Sequence, residues 1–246
     1  MFSNTEKTYG FTPVPSDPTT LFETINLPSL PTPSPTPVST TPPPTTRLAQ
    51  RIQQYAKSHL PEPTYNHSLR VYHYGLAIKR YAFPDWSFSD ETYFLACLLH
   101  DIGTTERNLR ATKMSFEFFG GYIALDVLQN DSDANDERGG AVAPREQAES
   151  VAEAVIRHQD LRDVGSITAV GQLVQLATIF DNVGNHAQLV HEDTVKDVIE
   201  HYPRLKWSSC FASTVDEEVS LKPWAHTTVL GDFKGHILGN PFNRYE

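Results

Sequence analysis

Two cysteines in 246 residues cannot knit a disulfide framework. Cys97 lies inside an apolar run, as a small core residue does. Cations are also scarce: 20 Lys and Arg stand against 30 Asp and Glu, a formal charge of -10. A nucleic-acid backbone is therefore not an expected partner, since phosphate binding needs clustered basic side chains. No apolar run approaches the roughly 20 residues that span a bilayer, so no membrane partner is expected either. Met1 to Gly10 has neither a basic start nor an apolar stretch behind it, so a secretory signal is not expected and a cytoplasmic setting is.

What is present divides at about residue 46. Pro28 to Thr46 reads PSLPTPSPTPVSTTPPPTT, a Pro/Ser/Thr tract short of backbone donors and of core-forming side chains. Residues 1–46 are accordingly expected to form a largely disordered extension. Within it, Tyr9 to Pro15 (YGFTPVP) has the aromatic and apolar character to dock on the rest. Residues 47–246 are expected to form one domain. There the 3.6-residue periodicity predicts helices near 47–59, 66–82, 90–101, 115–130, 145–159, 168–182, 193–201 and 207–221. Convincing period-2 strands are missing, and Asp131 to Gly140 reads as a polar loop. The expected fold class is all-α, an irregular helical bundle.

The facing of polar residues carries the chemistry. His67, Val71, Tyr74, Ile78 and Tyr81 form one inward stripe. Thr92 to Leu99 is apolar all round and ends in His100-Asp101. Asp181 extends the stripe of Val170, Leu173, Val174 and Ala177, and His158 that of Val151, Ala154 and Val155. Two carboxylates near a core need a cation or strong donors. His67, His100, Asp101 and Asp181 would satisfy one another around a divalent ion, formally neutral with Zn²⁺, Mn²⁺ or Fe²⁺ and with room for a water. Any one of these residues read alone has a bland alternative: a hydrogen-bonded core histidine, or a helix-capping aspartate.

Taken together, the order His … His-Asp … Asp on successive helices resembles the HD superfamily. Longer strings resemble its fungal cyanamide hydratases: NHSLRV at 66–71, CLLHDIGTT at 97–105, RATKMSFE at 110–117, FGG at 119–121, EAVIRHQD at 153–160, LATIFDNVG at 176–184 and KPWAHT at 222–227. The likeness runs over roughly residues 47–240. It implies an HD-type helical domain, a single Zn²⁺ held by His67, His100, Asp101 and Asp181, assembly into a homo-oligomer of two or more chains, and hydration of the small neutral substrate cyanamide to urea. Under that reading Asp101, as ligand, base or both, relays the proton of an activated water. His158 is a proton shuttle, an orienting donor or a core histidine, and Thr104 orients substrate or merely ends a helix. The stretch Lys113 to Gly121 supplies pocket wall. Lys222, Trp224 and His226 belong to a lid or a subunit contact.

Three alternatives compete. A metal-dependent phosphohydrolase acting on nucleotides would want convergent cations, which Arg107, Arg110 and Lys113 could provide. Against it, Thr104 stands where nucleotidase-type HD proteins carry an acid. Hydration of another small nitrile or an isocyanide depends on pocket volume. A catalytically silent scaffold, recruiting partners through its Pro-rich extension, would have no use for the ligand set.

Overall fold

The computed structural model describes residues 3–130 and 141–246; the loop expected at Asp131 to Gly140 lies outside the described residues. The N-terminal segment holds α1 (Asn4–Thr8), strand β1 (Pro13–Pro15) and α2 (Pro18–Thr24). Then come α3 (Arg47–His59), α4 (Glu62–Ala82), α5 (Asp90–Leu99), α6 (Glu106–Ala111), α7 (Phe116–Gln129) and α8 (Arg145–Arg157). Strand β2 (Ser166–Thr168), α9 (Ala169–Val183), α10 (Glu192–His201), α11 (Trp207–Leu221) and α12 (Phe233–Leu238) complete the chain. The fold is the all-α bundle of the expected class. All eight anticipated helices are present within a few residues, and prolines 61, 84, 144 and 203 stand between them as helix punctuation does. No described helix is long and apolar enough to cross a membrane.

Helix α5 is the centre. Thr92 to Leu99 are all buried, as an all-apolar helix requires. Helices α4, α8 and α9 surround it, and α7 lies along α8. Helix α4 starts behind Pro61, with Pro63 in its first turn where no N–H is needed. It then buries nearly everything from His67 to Ile78. Helix α9 ends at Gly184, whose φ of 73° a side chain rarely adopts and whose missing Cβ leaves room for Pro241.

The expectation of a largely disordered extension holds only in part. Residues 3–46 have few elements of their own, but they lie on the body. As anticipated, Tyr9 to Pro15 docks. Strand β1 pairs antiparallel with β2, Val14 opposite Ile167, and Ser150 Oγ donates to the Tyr9 carbonyl at 2.5 Å. Gly10 is packed where a Cβ would meet Val170 at 2.3 Å. The proline tract docks too: Thr36 N donates to Thr194 Oγ1 and Val38 N to Asp197 Oδ2, at 2.7 and 2.6 Å. Leu21, Leu27 and Val38 are buried. A segment that cannot build a core can still complete one offered by its neighbours, and composition alone does not reveal that offer.

Candidate metal centre

His67 projects from α4, His100 closes α5, and Asp101 is the first residue beyond it, with φ -101° and ψ 12°. All three are buried. Gly103, two residues on, lets the following turn press against α7: a Cβ there would stand 2.0 Å from the Phe116 carbonyl oxygen. His158 closes α8 just as His100 closes α5.

The last carbonyls of a helix lack intrahelical partners, and both histidines exploit this. His100 Nδ1 donates to the Cys97 carbonyl at 2.8 Å, and His158 Nδ1 to the Val155 carbonyl at 2.7 Å. A carbonyl only accepts, so each Nδ1 carries the proton. In the neutral ring each Nε2 is then a bare lone pair. His67 reaches the same state differently, its Nδ1 donating to Asp181 Oδ2 at 2.6 Å. Three imidazoles thus present Nε2 toward one point. His67 and His100 face each other there at 3.1 Å, and Asp101 Oδ2 lies 3.1 Å from His100 Nε2 and 3.6 Å from His67 Nε2. His158 Nε2 stands 3.7 Å from Asp101 Oδ1.

Neither Asp101 oxygen has a hydrogen-bond partner among the described residues, although both are buried. Two facing lone pairs and an orphaned carboxylate repel unless something positive sits among them. His67, His100 and Asp101 each offer a ligand atom within 4.8 Å of the others, and two helix C-termini add their negative ends. The titration shifts differ between the two imidazoles. Burial pushes His67 down to about 4. For His100 burial also works downward, but the adjacent Asp101 carboxylate overrides it and raises the imidazole above its ordinary value. Burial works upward on Asp101, yet His100 holds it well below the usual carboxylate range. A field that draws a proton onto His100 draws a metal cation equally. Two imidazoles and one carboxylate fit a divalent ion and leave a further position open.

Asp181 stands elsewhere than at the cluster's open face. Its two oxygens accept from Arg70 Nε and Nη2, Arg204 Nη1 and His67 Nδ1, all within 3.1 Å. Burial works upward on its carboxyl, but the two guanidiniums hold it well below the usual range. It therefore backs His67, fixing the tautomer and aiming Nε2. Sequence facing brought Asp181 to the right neighbourhood but missed both arginines. Arg70 follows His67 by three positions and so shares its helix face, a signal that was there to read. Arg204 comes from a distant loop and left none.

Thr104 Oγ1 donates to the Asp101 carbonyl at 2.7 Å, tying the turn that presents Asp101, and Thr105 caps α6. The stretch read as pocket wall and the one read as lid or subunit contact touch each other. Lys222 Nζ donates to the Met114 carbonyl, Trp224 Nε1 to the Lys113 carbonyl, and His226 N to Ser115 Oγ, all within 3.0 Å. Phe116 N donates to Glu218 Oε1 at 2.7 Å. The segment 218–227 thereby holds the start of α7 against the centre, with the Phe116 ring 5.6 Å from that of His158.

The HD domain family model matches residues 64–183, a span containing His67, His100, Asp101, His158 and Asp181. The chain is similar to cyanamide hydratase DDI2 and cyanamide hydratase DDI3 of Saccharomyces cerevisiae, 43% identical to each over 235 residues, which cover 95% of this chain and 97% of theirs.

Proposed function

This chain belongs to the HD-domain cyanamide hydratases, and we propose that it adds water across the nitrile of cyanamide to give urea at the centre formed by His67, His100 and Asp101. The observation that carries the chemistry is the buried Asp101 carboxylate, without a hydrogen-bond donor among the described residues and faced by three imidazole nitrogens. His67 Nε2, His100 Nε2 and an Asp101 oxygen would hold a divalent ion, zinc by the His/His/carboxylate donor set. Such an ion supplies polarisation of the nitrile and lowers the pKa of a water toward about 7.

Asp101 Oδ1, on the side away from His100, accepts the proton that the water loses. His158 Nε2, 3.7 Å from that oxygen, passes it to the nitrile nitrogen while the water oxygen bonds to carbon; the isourea so formed tautomerises to urea. Burial and the neighbouring His100 keep His158 below its ordinary value, which suits a group that receives a proton and releases it again. Asp181 acts through His67, and Thr104 through the turn it ties.

The phosphohydrolase reading is poorly served. Arg70 and Arg204 are engaged by Asp181, and Arg110 pairs at the surface with Glu217 and Glu106. Two features bear on setting and assembly. Both cysteines are free, which suits a reducing cytoplasm. The exposed Met114, Phe118 and Trp224 around the start of α7 suit contact between two or more copies.

Elemental analysis of the purified chain, coupled to a urea assay before and after chelation, tests the reading. The expected result is about one zinc per chain, with urea formation that chelator abolishes and zinc restores. Metal-dependent phosphate release from nucleoside monophosphates, with no urea from cyanamide, would overturn it.

A further inference from the structure

One buried acid near the centre has no task in that scheme. Glu117 lies in the first turn of α7, fully buried, next to the Phe116 that meets His158. Its Oε1 accepts from His226 Nδ1 at 2.8 Å. Its Oε2 is equally buried and has no hydrogen-bond partner among the described residues. The carboxylate is near enough for its charge to bear on the His158 imidazole. An acceptor buried with only half of its capacity used is costly unless a donor arrives from elsewhere.

The placement of Glu117 is built and not incidental. His226 is itself fixed twice, through its backbone N–H to Ser115 and through Nε2, 3.7 Å from Asp160 Oδ1. Its hydrogen bond to Glu117, helped by the Asp160 charge and opposed by burial, holds the imidazole above its ordinary value, so the Glu117 Oε1 side is kept supplied with a donor. Met114, Ser115 and Phe116, just before it, are held by Lys222, His226 and Glu218. The chain therefore uses five contacts to keep one carboxylate in place, and one of its oxygens is buried without a hydrogen-bond partner among the described residues.

Cyanamide is a rod with a nitrile at one end and an amino group at the other. When the nitrile carbon faces Asp101 and His158, the amino hydrogens point away from the ion's ligands and need an acceptor. The amino lone pair is delocalised into the nitrile, so these hydrogens are strong donors and poor acceptors. We propose that Glu117 Oε2 receives the substrate's amino group and so makes the enzyme select an amino-bearing nitrile over an alkyl nitrile of the same length. This rests on the hydratase reading above and adds the element of specificity that the metal ligands do not contain. A site built to bond an N–H discriminates sharply against the analogue that lacks it.

The test uses the metal-loaded full-length chain, with cyanamide as substrate and acetonitrile, its methyl isostere, as competitor. In Glu117→Gln the amide oxygen keeps the bond to His226 and an NH₂ replaces Oε2, so donor meets donor. In Glu117→Met the acceptor is gone and an apolar end remains. Both variants should raise KM for cyanamide about tenfold or more, with kcat changed much less and zinc content equal to wild type. Acetonitrile should compete as well against Glu117→Gln as against wild type, and better against Glu117→Met. An unchanged KM overturns the proposal, as does equal weakening of cyanamide and acetonitrile, which would make Glu117 a wall and not a recognition group. A wild type that forms no urea fails at the earlier step and removes the hydratase reading itself.

Discussion

Trp207 lies flat against His67, the two rings 4.2 Å apart and 14° from parallel. Phe211 in turn stacks on the indole at 5.0 Å, and Trp207 Nε1 donates to Asn182 Oδ1, beside Asp181. One imidazole is thus held on its edge by a carboxylate and on its face by an aromatic column.

Trp207→Ala should remove the face and leave a buried cavity, at a cost of about 3–5 kcal/mol in stability. Trp207→Phe keeps an aromatic face, loses the donor to Asn182 and leaves a smaller gap, at about 1–3 kcal/mol. Urea denaturation ranks the two, and metal retained after dialysis should fall in the same order. Equal metal retention in wild type and Trp207→Ala would show that the stack does nothing for the ion.

Asp181→Asn strips the charge from between two buried guanidiniums. Breaking a buried ionic network by one partner costs about 3–5 kcal/mol, and loss of the partner that orients a ligand imidazole weakens metal binding by roughly 10- to 100-fold. A thermal melt reads the first and competition with a chelator the second. Were Asp181 idle, the variant would match wild type in both.

Gly103→Ala adds one methyl group, yet it should damage activity more than most large substitutions at the surface. The new Cβ would lie 2.0 Å from a backbone oxygen of Phe116, and backbone cannot rotate out of the way. Either the turn carrying Asp101 or the start of α7 must move, and misplacement of about 1 Å costs roughly 100-fold in rate. The comparison to make is kcat/KM for Gly103→Ala against Gly239→Ala, where the nearest atom is 3.3 Å off.

His73 offers a pH test away from the ion. Burial pushes it down to about 4 from an ordinary 6.5. Below pH 6.5 the unfolded chain binds a proton that the folded chain refuses. The stability His73 contributes is therefore complete above pH 6.5 and is lost as pH falls toward 4. Between pH 7 and pH 5 its share of the loss is about 2 kcal/mol. His73→Gln should flatten the fall in unfolding free energy by that amount, and an identical slope in variant and wild type would refute it.

Much of this was legible in the residues. The helix that ends in His100-Asp101 had to be central because Thr92 to Leu99 offers no polar face, and His67 had to point at it because its stripe is otherwise apolar. What periodicity cannot show is how an inward residue is used. Asp181 reads identically as ligand or as the partner behind a ligand, and the residues paired with it are two fully buried arginines, a residue type that composition places at the surface. Helix α6 escaped because six residues are too few to show a period. The proline tract was misjudged for a related reason, since its burial depends on α10 and not on itself.

The staple on α7 spans 111 residues of sequence between Ser115 and His226. A nascent chain emerging from the ribosome exposes His67, His100, Asp101 and Asp181 while the segment that fixes the start of α7 is still unsynthesised, and contacts of such separation form late. The wall beside the centre is therefore a late-forming part of the fold, closed only when the final quarter of the chain folds back onto α7.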